Sequence, residues 1–310
     1  MTLTQPAKQI NPVQINIFQP QTIMTDSGSF FSNADHYWRY NMTYETVIYE
    51  CRDGVGILRL NRPDRMNAVI EQLYLDIQAV LKDAARDENV RSLILTGSVR
   101  KRPDGDKQAF CAGADLKEHK KGERTPWQKR EYILLAHETT RQLYVFPKPV
   151  IVAVNGAARG AGTELALNGD FLLMADEATI AFPETGLGTF VGGGVTSHLS
   201  KLIGRQRAKE LVFTGRVLNG KAAVDIGLAL QSYPIDELMP AALKMAATMA
   251  EKAPISMKFA KTILNQAESL DLQTALMIEA EAILACMTTD DWREGIVAFA
   301  EKRKPKYYGR

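Results

Sequence analysis

Apolar residues along this chain fall into short runs and helical repeats that alternate over most of its length. Residues 46–51 and 55–61 flank Asp53-Gly54, a strong turn dipeptide, and predict an antiparallel hairpin. Apolar residues then recur at helical spacing over about 70–86, and a strand is predicted at 90–96. A second helix is predicted over 126–146. It ends there because a residue that precedes a proline, here Pro147, disfavours helical dihedrals. The β-branched run 150–154 is too short for a helix and predicts a strand covered on both faces.

The stretch after this strand is rich in glycine and alanine and predicts a tight turn that opens a helix, with Glu164 about one turn inside it. Two short strands follow at about 171–175 and 179–182, and a glycine-rich loop occupies 186–194. From about 195 the pattern is mainly helical, with three or four amphipathic helices over 235–310. The order of elements predicts an α/β core followed by an all-helical region.

Residues 1–41 differ in composition from the rest of the chain. They contain Pro6, Pro12 and Pro20, many polar residues and only four charged side chains, with no helical period. We therefore expect a flexible N-terminal extension over 1–41, a core over 42–235 and a helical C-terminal region over 236–310.

Composition excludes several classes of function. The chain is 45% hydrophobic and 24% charged with a net charge of +2, so its overall charge does not call for nucleic acid or an anionic membrane. No apolar run approaches the ~18–20 residues of a membrane helix. Three distant cysteines show no metal-ligand spacing and favour a reducing compartment. We expect a cytoplasmic protein without a metal site.

Two small-residue turns are candidates for binding negative charge. Ala112-Gly113-Ala114 and Gly160-Ala161-Gly162 both follow predicted strands and precede predicted helices. Two backbone N–H groups converging on one oxygen would form an oxyanion hole. The alternative for each turn alone is close packing of a helix against a strand.

Glu164 and Glu184 are the candidate acid–base residues, because Glu164 follows the second of these turns and Glu184 stands at the start of the glycine-rich loop. Each also has a simpler interpretation. A glutamate in the first helical turn complements the helix dipole, and Glu184 could be a loop charge. The combination of two carboxylates with two anion-binding turns is what favours catalysis.

Four linked segments resemble the enoyl-CoA hydratase/isomerase family, also called the crotonase family, and the resemblance covers about residues 43–310. The segments are Asn61-Arg62-Pro63 with Asn67-Ala68, Phe110-Cys111-Ala112-Gly113-Ala114-Asp115, Ala153-Val154-Asn155-Gly156 with Glu164, and Phe182-Pro183-Glu184 with Gly186-Leu187-Gly188.

The resemblance implies a spiral of β-β-α units and C-terminal helices that form trimers or dimers of trimers. It assigns the thioester carbonyl oxygen of an acyl-CoA to the amides of Ala114 and Ala161. Its acyl-CoA contacts would be Arg65, Met66, Ala68, Ala112, Ala114, Asp115, Leu116, Lys117 and Ala161. Coenzyme A would be part of the substrate, so no separate cofactor is expected.

The glutamate pair fits syn hydration of a 2-enoyl-CoA through an enolate. A protonated Glu184 would supply the proton at C2, while Glu164 would orient and polarise the water that attacks C3. The same resemblance leaves open an isomerase, a thioester hydrolase, a C–C bond hydrolase, or a non-catalytic protein that binds acyl-CoA or RNA.

Three departures from the family pattern bear on the substrate. Ala161 stands where glycine is usual, and Arg159 stands where an apolar residue is common. The loop 188–195 lacks the proline typical of simple hydratases. Because that loop helps to shape the acyl pocket, we expect a branched or cyclic acyl group.

Overall fold

The computed structural model describes residues 15–16, 40–101, 103, 105–120, 122 and 124–310. Strands over these residues are β1 (Ile15–Asn16), β2 (Tyr40–Thr43), β3 (Val47–Arg52), β4 (Val55–Leu60), β5 (Ser92–Gly97), β6 (Ala109–Cys111), β7 (Val150–Val154), β8 (Ala157–Arg159), β9 (Phe171–Ala175), β10 (Thr179–Ala181), β11 (Leu218–Asn219) and β12 (Gln231–Tyr233).

The α-helices are α1 (Glu71–Arg86), α2 (Leu116–Lys120), α3 (Pro126–Tyr144), α4 (Ala161–Ala166), α5 (Val195–Ile203), α6 (Arg205–Thr214), α7 (Gly220–Asp225), α8 (Ile235–Ala250), α9 (Pro254–Leu264), α10 (Leu272–Met287) and α11 (Asp290–Ala300). Short 3-10 turns lie at Pro63–Arg65, Glu184–Leu187 and Ala267–Ser269.

The strands form two sheets, and the chain adds strands to both sheets as it proceeds. The larger has the order β1-β2-β3-β4-β5-β7-β9-β12, and the smaller has the order β11-β10-β8-β6. From β5 to β10 the chain alternates between the two sheets, since β5, β7 and β9 of the larger sheet are followed by β6, β8 and β10 of the smaller sheet, respectively. Neighbouring strands within each of these two sets are parallel. This alternation is the predicted spiral of β-β-α units.

The main sheet forms the centre of the core. Every residue of β5 and β7 is buried, which confirms the prediction that the run 150–154 is covered on both faces. Helix α8 packs on β4, β5, β7, β9 and β12, and it buries Leu238, Ala242 and Ala246. Helix α1 packs on β3 and β4 and also contacts α3.

Most predicted elements are confirmed, including the 46–61 hairpin, helices α1 and α3, and four C-terminal helices. The interpretation of the stretch after β7 as a simple turn was wrong in one respect. Residues Ala157–Arg159 form β8, which pairs with β6 and β10, before α4 begins. Strands β11 and β12 were also missed, since two or three residues cannot display an alternating pattern.

The predicted domain boundaries stay predictions. Most of the segment 1–41 lies outside the described residues. Its described parts, Ile15–Asn16 and Tyr40–Asn41, belong to the antiparallel edge formed by β1 and β2.

Candidate active site

The two small-residue turns predicted from the sequence meet in space. Gly113, after β6, has a φ of 85°. A Cβ atom built on Gly113 would lie 2.6 Å from the carbonyl oxygen of Arg159 and 3.7 Å from the amide nitrogen of Ala161. The turn that follows β6 is therefore packed directly against the turn that opens α4.

Each turn offers one unpaired backbone donor. Val69 donates to the carbonyl of Gly113 at 2.8 Å and accepts from the amide of Asp115 at 2.9 Å, so the N–H of Ala114 between them points away from Val69. Ala161 is the first residue of α4 and has no acceptor within the helix. Among the residues that the structure describes, neither amide donates to a protein group. This arrangement has the features of an oxyanion hole.

Glu164 lies on α4 and is buried, with 8% of its surface exposed. Its Oε1 accepts a hydrogen bond of 2.7 Å from the amide of Gly192 in the glycine-rich loop. Asn168 Nδ2 fixes that loop by donating to the carbonyl of Gly193 at 2.7 Å. Burial raises the pKa of the Glu164 carboxyl, while the bond from Gly192 opposes the shift. Because Glu164 is buried, it is not a solvent-exposed surface charge.

Glu184 begins the 3-10 turn after β10 and is also buried. Its Oε2 has no hydrogen-bond partner in the described part of the chain. The Oε1 atom lies against Gly160, where a Cβ would come within 2.8 Å of it. Burial raises the pKa of the Glu184 carboxyl, a hydrogen bond from its own backbone amide opposes the shift, and the negative charge of Glu164 adds to the increase.

The two carboxylates are therefore neighbours with different surroundings. The amide bond from Gly192 favours the ionised form of Glu164. The unpartnered oxygen of Glu184 and the nearby Glu164 charge favour the protonated form of Glu184. Such a pair can accept a proton at one carboxyl and donate one from the other.

The Arg159 side chain does not enter this site. Its guanidinium donates to the carbonyl oxygens of Ala158 and Thr179 and to the Thr179 hydroxyl, each at 2.8 Å. Only its carbonyl oxygen lies near Gly113. Arg159, which departs from the family pattern, therefore links β8 to β10 by hydrogen bonds.

The segments predicted to bind CoA lie side by side, since the amide of Ala112 donates to the carbonyl of Met66 at 3.0 Å. Arg65, Leu116 and Lys117 are exposed, and Ala68 is buried. This shared edge includes Ala114, whose amide is one of the two unpaired donors.

The carboxylate of Asp115 is occupied by contacts within the protein at this edge. Its carboxylate forms an ion pair with Arg62 at 3.2 Å and accepts from the amides of Lys117 and Glu118 at the start of α2. Burial alone would raise the pKa of Asp115, but the Arg62 guanidinium and the helix amides lower it. Its predicted contact with CoA stays a prediction.

Two buried asparagines of the quoted motifs hold the strand ends beneath the site. Asn67 donates through Nδ2 to the carbonyl oxygens of Ser98 and Ala109. Asn155 exchanges two hydrogen bonds of 3.1 Å with the backbone of Gly97. These side chains fix the positions of β5 and β6, from which the turn at Gly113 follows.

The sequence pointed to the glycine-rich loop but not to Gly192 as the donor to Glu164. It also gave no signal for His137 on α3, whose Nε2 would lie 3.1 Å from a Cβ built on Gly192. A single histidine in an amphipathic helix forms no sequence motif from which its proximity to Gly192 could be predicted.

Comparison with known proteins agrees with this geometry. Residues 50–310 match the family model described as enoyl-CoA hydratase/isomerase. The chain is 36% identical to a crotonyl-CoA hydratase from Syntrophomonas wolfei, over 87% of this chain and 100% of that protein. It is 35% identical to a short-chain-enoyl-CoA hydratase from Clostridium acetobutylicum, over 85% of this chain and 97% of that protein. A crystal structure of an enoyl-CoA hydratase from Bacillus anthracis matches with a TM-score of 0.78 and 35% identity, over 88% and 99% of the two chains.

Proposed function

The chain belongs to the enoyl-CoA hydratase/isomerase family, and we propose that the site around Glu164 and Glu184 adds water across the 2,3 double bond of an enoyl-CoA thioester. The protein is an enoyl-CoA hydratase. One observation carries the assignment of the site, namely that two buried carboxyls, one bonded to a backbone amide and one with an unpartnered oxygen, adjoin two unpaired amides.

In this proposal the thioester oxygen lies between the amides of Ala114 and Ala161. Ionised Glu164 takes a proton from the water as its oxygen bonds to C3. The electron pair of the double bond moves toward the thioester oxygen, and the two amides stabilise the resulting enolate. Protonated Glu184 then gives its proton to C2 on the same face, which completes syn addition. The proton that Glu164 took from the water must return to Glu184 before the next turnover. The reaction as proposed needs no cofactor.

The CoA part of the substrate would lie along the edge formed by residues 65–68 and 112–117. Exposed Arg65 and Lys117 are the basic groups available there for the phosphates. Asp115 would contribute indirectly, by holding this edge in place, because Arg62 and the amides of α2 occupy its carboxylate and its own amide donates to Val69.

The acyl group that we propose is branched or cyclic. Support comes from the loop 188–195, which borders the site through Gly192 and leaves Phe190 67% exposed. A loop of this composition differs from the proline-containing loop of simple hydratases.

We also propose that the protein assembles as a trimer or a dimer of trimers through its C-terminal helices. Helix α10 is apolar, yet Ala282 is its single buried residue in the isolated chain. Leu276, Met277, Ile283 and Leu284 on α10 are all at least half exposed. An apolar surface of this kind is typical of a subunit interface.

The central experiment measures turnover of crotonyl-CoA and of branched and cyclic 2-enoyl-CoAs by the wild type, Glu164→Gln and Glu184→Gln. Each glutamine keeps the side-chain shape but cannot exchange the proton, so we expect kcat to fall by about 10²–10⁴-fold in either variant. Undiminished turnover in both variants would overturn the assignment of the site.

Product mass separates hydration from the other reactions of this family. Hydration adds one water to the substrate, whereas isomerisation leaves its mass unchanged. Release of free CoA would indicate thioester hydrolysis. Tight CoA binding without turnover of any substrate would indicate a non-catalytic binding protein.

A further inference from the structure

A histidine on α3 shares the space beside Glu164. A Cβ built on Gly192 would lie 3.1 Å from Nε2 of His137 and 3.2 Å from both carboxylate oxygens of Glu164. Gly192 has no side chain, so the imidazole and the carboxylate face the same small gap. We propose that His137 is a specificity-determining residue that donates a hydrogen bond to an oxygen on the acyl group beyond C3. This inference rests on the proposed hydratase function.

The position of His137 on α3 supports this role. Thr140, one turn further along the helix, is buried, and its Cγ2 would lie 3.2 Å from a Cβ on Gly193. His137 itself is exposed. The face of α3 that carries both residues therefore packs on the glycine-rich loop at Thr140 and is open to solvent at His137.

The imidazole is available for such a bond. In the part of the chain that the structure describes, no protein group forms a hydrogen bond with the ring of His137. Glu164 Oε1 is bonded to Gly192, and neither carboxylate oxygen of Glu164 forms a hydrogen bond or an ion pair with His137. A donor held next to the reacting groups without a protein partner is a suitable contact for the substrate.

The substrate must pass through this space if Glu164 handles the attacking water. C3 then lies beside Glu164, and the atoms beyond C3 begin in the gap that His137 faces. An alkyl chain offers Nε2 no acceptor in place of the water that it displaces, whereas a carboxylate, hydroxyl or carbonyl oxygen would accept its hydrogen bond. The structure thus favours an oxygen-bearing acyl group over a purely apolar one of equal length.

Three six-carbon substrates test this inference: hex-2-enoyl-CoA, its 6-hydroxy derivative and the analogue that ends in a carboxylate. We expect the wild type to show kcat/KM at least about 10-fold higher for one of the two oxygenated substrates than for hex-2-enoyl-CoA. The substrate that is preferred identifies the acceptor as a hydroxyl or a carboxylate.

The His137→Leu variant should lose this preference, with a fall in kcat/KM for the oxygenated substrate that is much larger than any fall for hex-2-enoyl-CoA. The His137→Gln variant, which keeps a donor, should restore part of the preference. Glu131→Leu, an equally drastic change at an exposed site on the same helix, should leave the preference intact. A wild type that prefers hex-2-enoyl-CoA, or a preference that survives in His137→Leu, would overturn this inference without contradicting the proposed hydratase function. No hydration of any of the three would instead contradict the proposed function.

Discussion

Gly113 and Arg159 approach each other so closely that no side chain fits between them. A methyl group on Gly113 would lie 2.6 Å from the carbonyl oxygen of Arg159, and backbone atoms cannot move aside as a flexible side chain can. Gly113 also has a φ of 85°, in the region that favours glycine. This contact sets the separation of the amides of Ala114 and Ala161.

The variant Gly113→Ala should therefore separate the two donors. We expect a loss of about 1–3 kcal/mol in the free energy of unfolding from the strained backbone, measured by urea denaturation. We also expect kcat to fall by about 10²-fold, comparable to the loss of one oxyanion donor. Gly122→Ala is the control, because a methyl group there meets nothing within 4 Å. Wild-type activity in Gly113→Ala would show that the contact does not position the donors.

Replacing Ala161 by proline should remove one donor with little other change. Ala161 is the first residue of α4, where proline is tolerated because its missing N–H has no helical partner. We expect kcat to fall by about 10²–10³-fold while circular dichroism stays unchanged. Ala161→Gly keeps the N–H and should keep the activity. Equal turnover by the proline and glycine variants would mean that this amide does not bind the thioester oxygen.

The pH dependence of kcat/KM should be bell-shaped, with both limbs above the ordinary carboxyl pKa of 4.5. Activity rises with pH as Glu164 ionises, and it falls at higher pH as Glu184 loses its proton. Burial raises the pKa of both groups, so the coupled pair titrates above the ordinary carboxyl range. In Glu164→Gln the residual activity should lack the acidic limb. A flat profile across this range would contradict the assigned roles.

The sequence predicted the fold where long apolar patterns exist, as in α1 and the fully buried β7. It could not predict β8, because Ala157–Arg159 is a strand only through pairing with β6 and β10, which lie far away in the chain. Similarly, Glu164 and Glu184 could be nominated from their motifs. The bond from Gly192 and the proximity of His137 arise from tertiary packing alone.

The assembly of the protein should depend on the apolar surface of α10. We expect the double variant Leu276→Glu and Leu284→Glu to dissociate to monomers, measured by light scattering after size-exclusion chromatography, because charges are costly at a buried apolar interface. Lys244→Glu on α8 changes the net charge by the same amount at an exposed polar position and should not alter the mass. An unchanged mass in the double variant would place the interface elsewhere.

The two donors of the oxyanion hole are backbone amides, whereas the proton-handling groups are side chains. Random substitution at Glu164 and Glu184 therefore cannot delete the groups that polarise the thioester. A combinatorial library at these two positions would keep a scaffold that stabilises enolates and would vary only the placement of acids and bases around it. Directed evolution toward new reactions of acyl thioesters could begin from such a library.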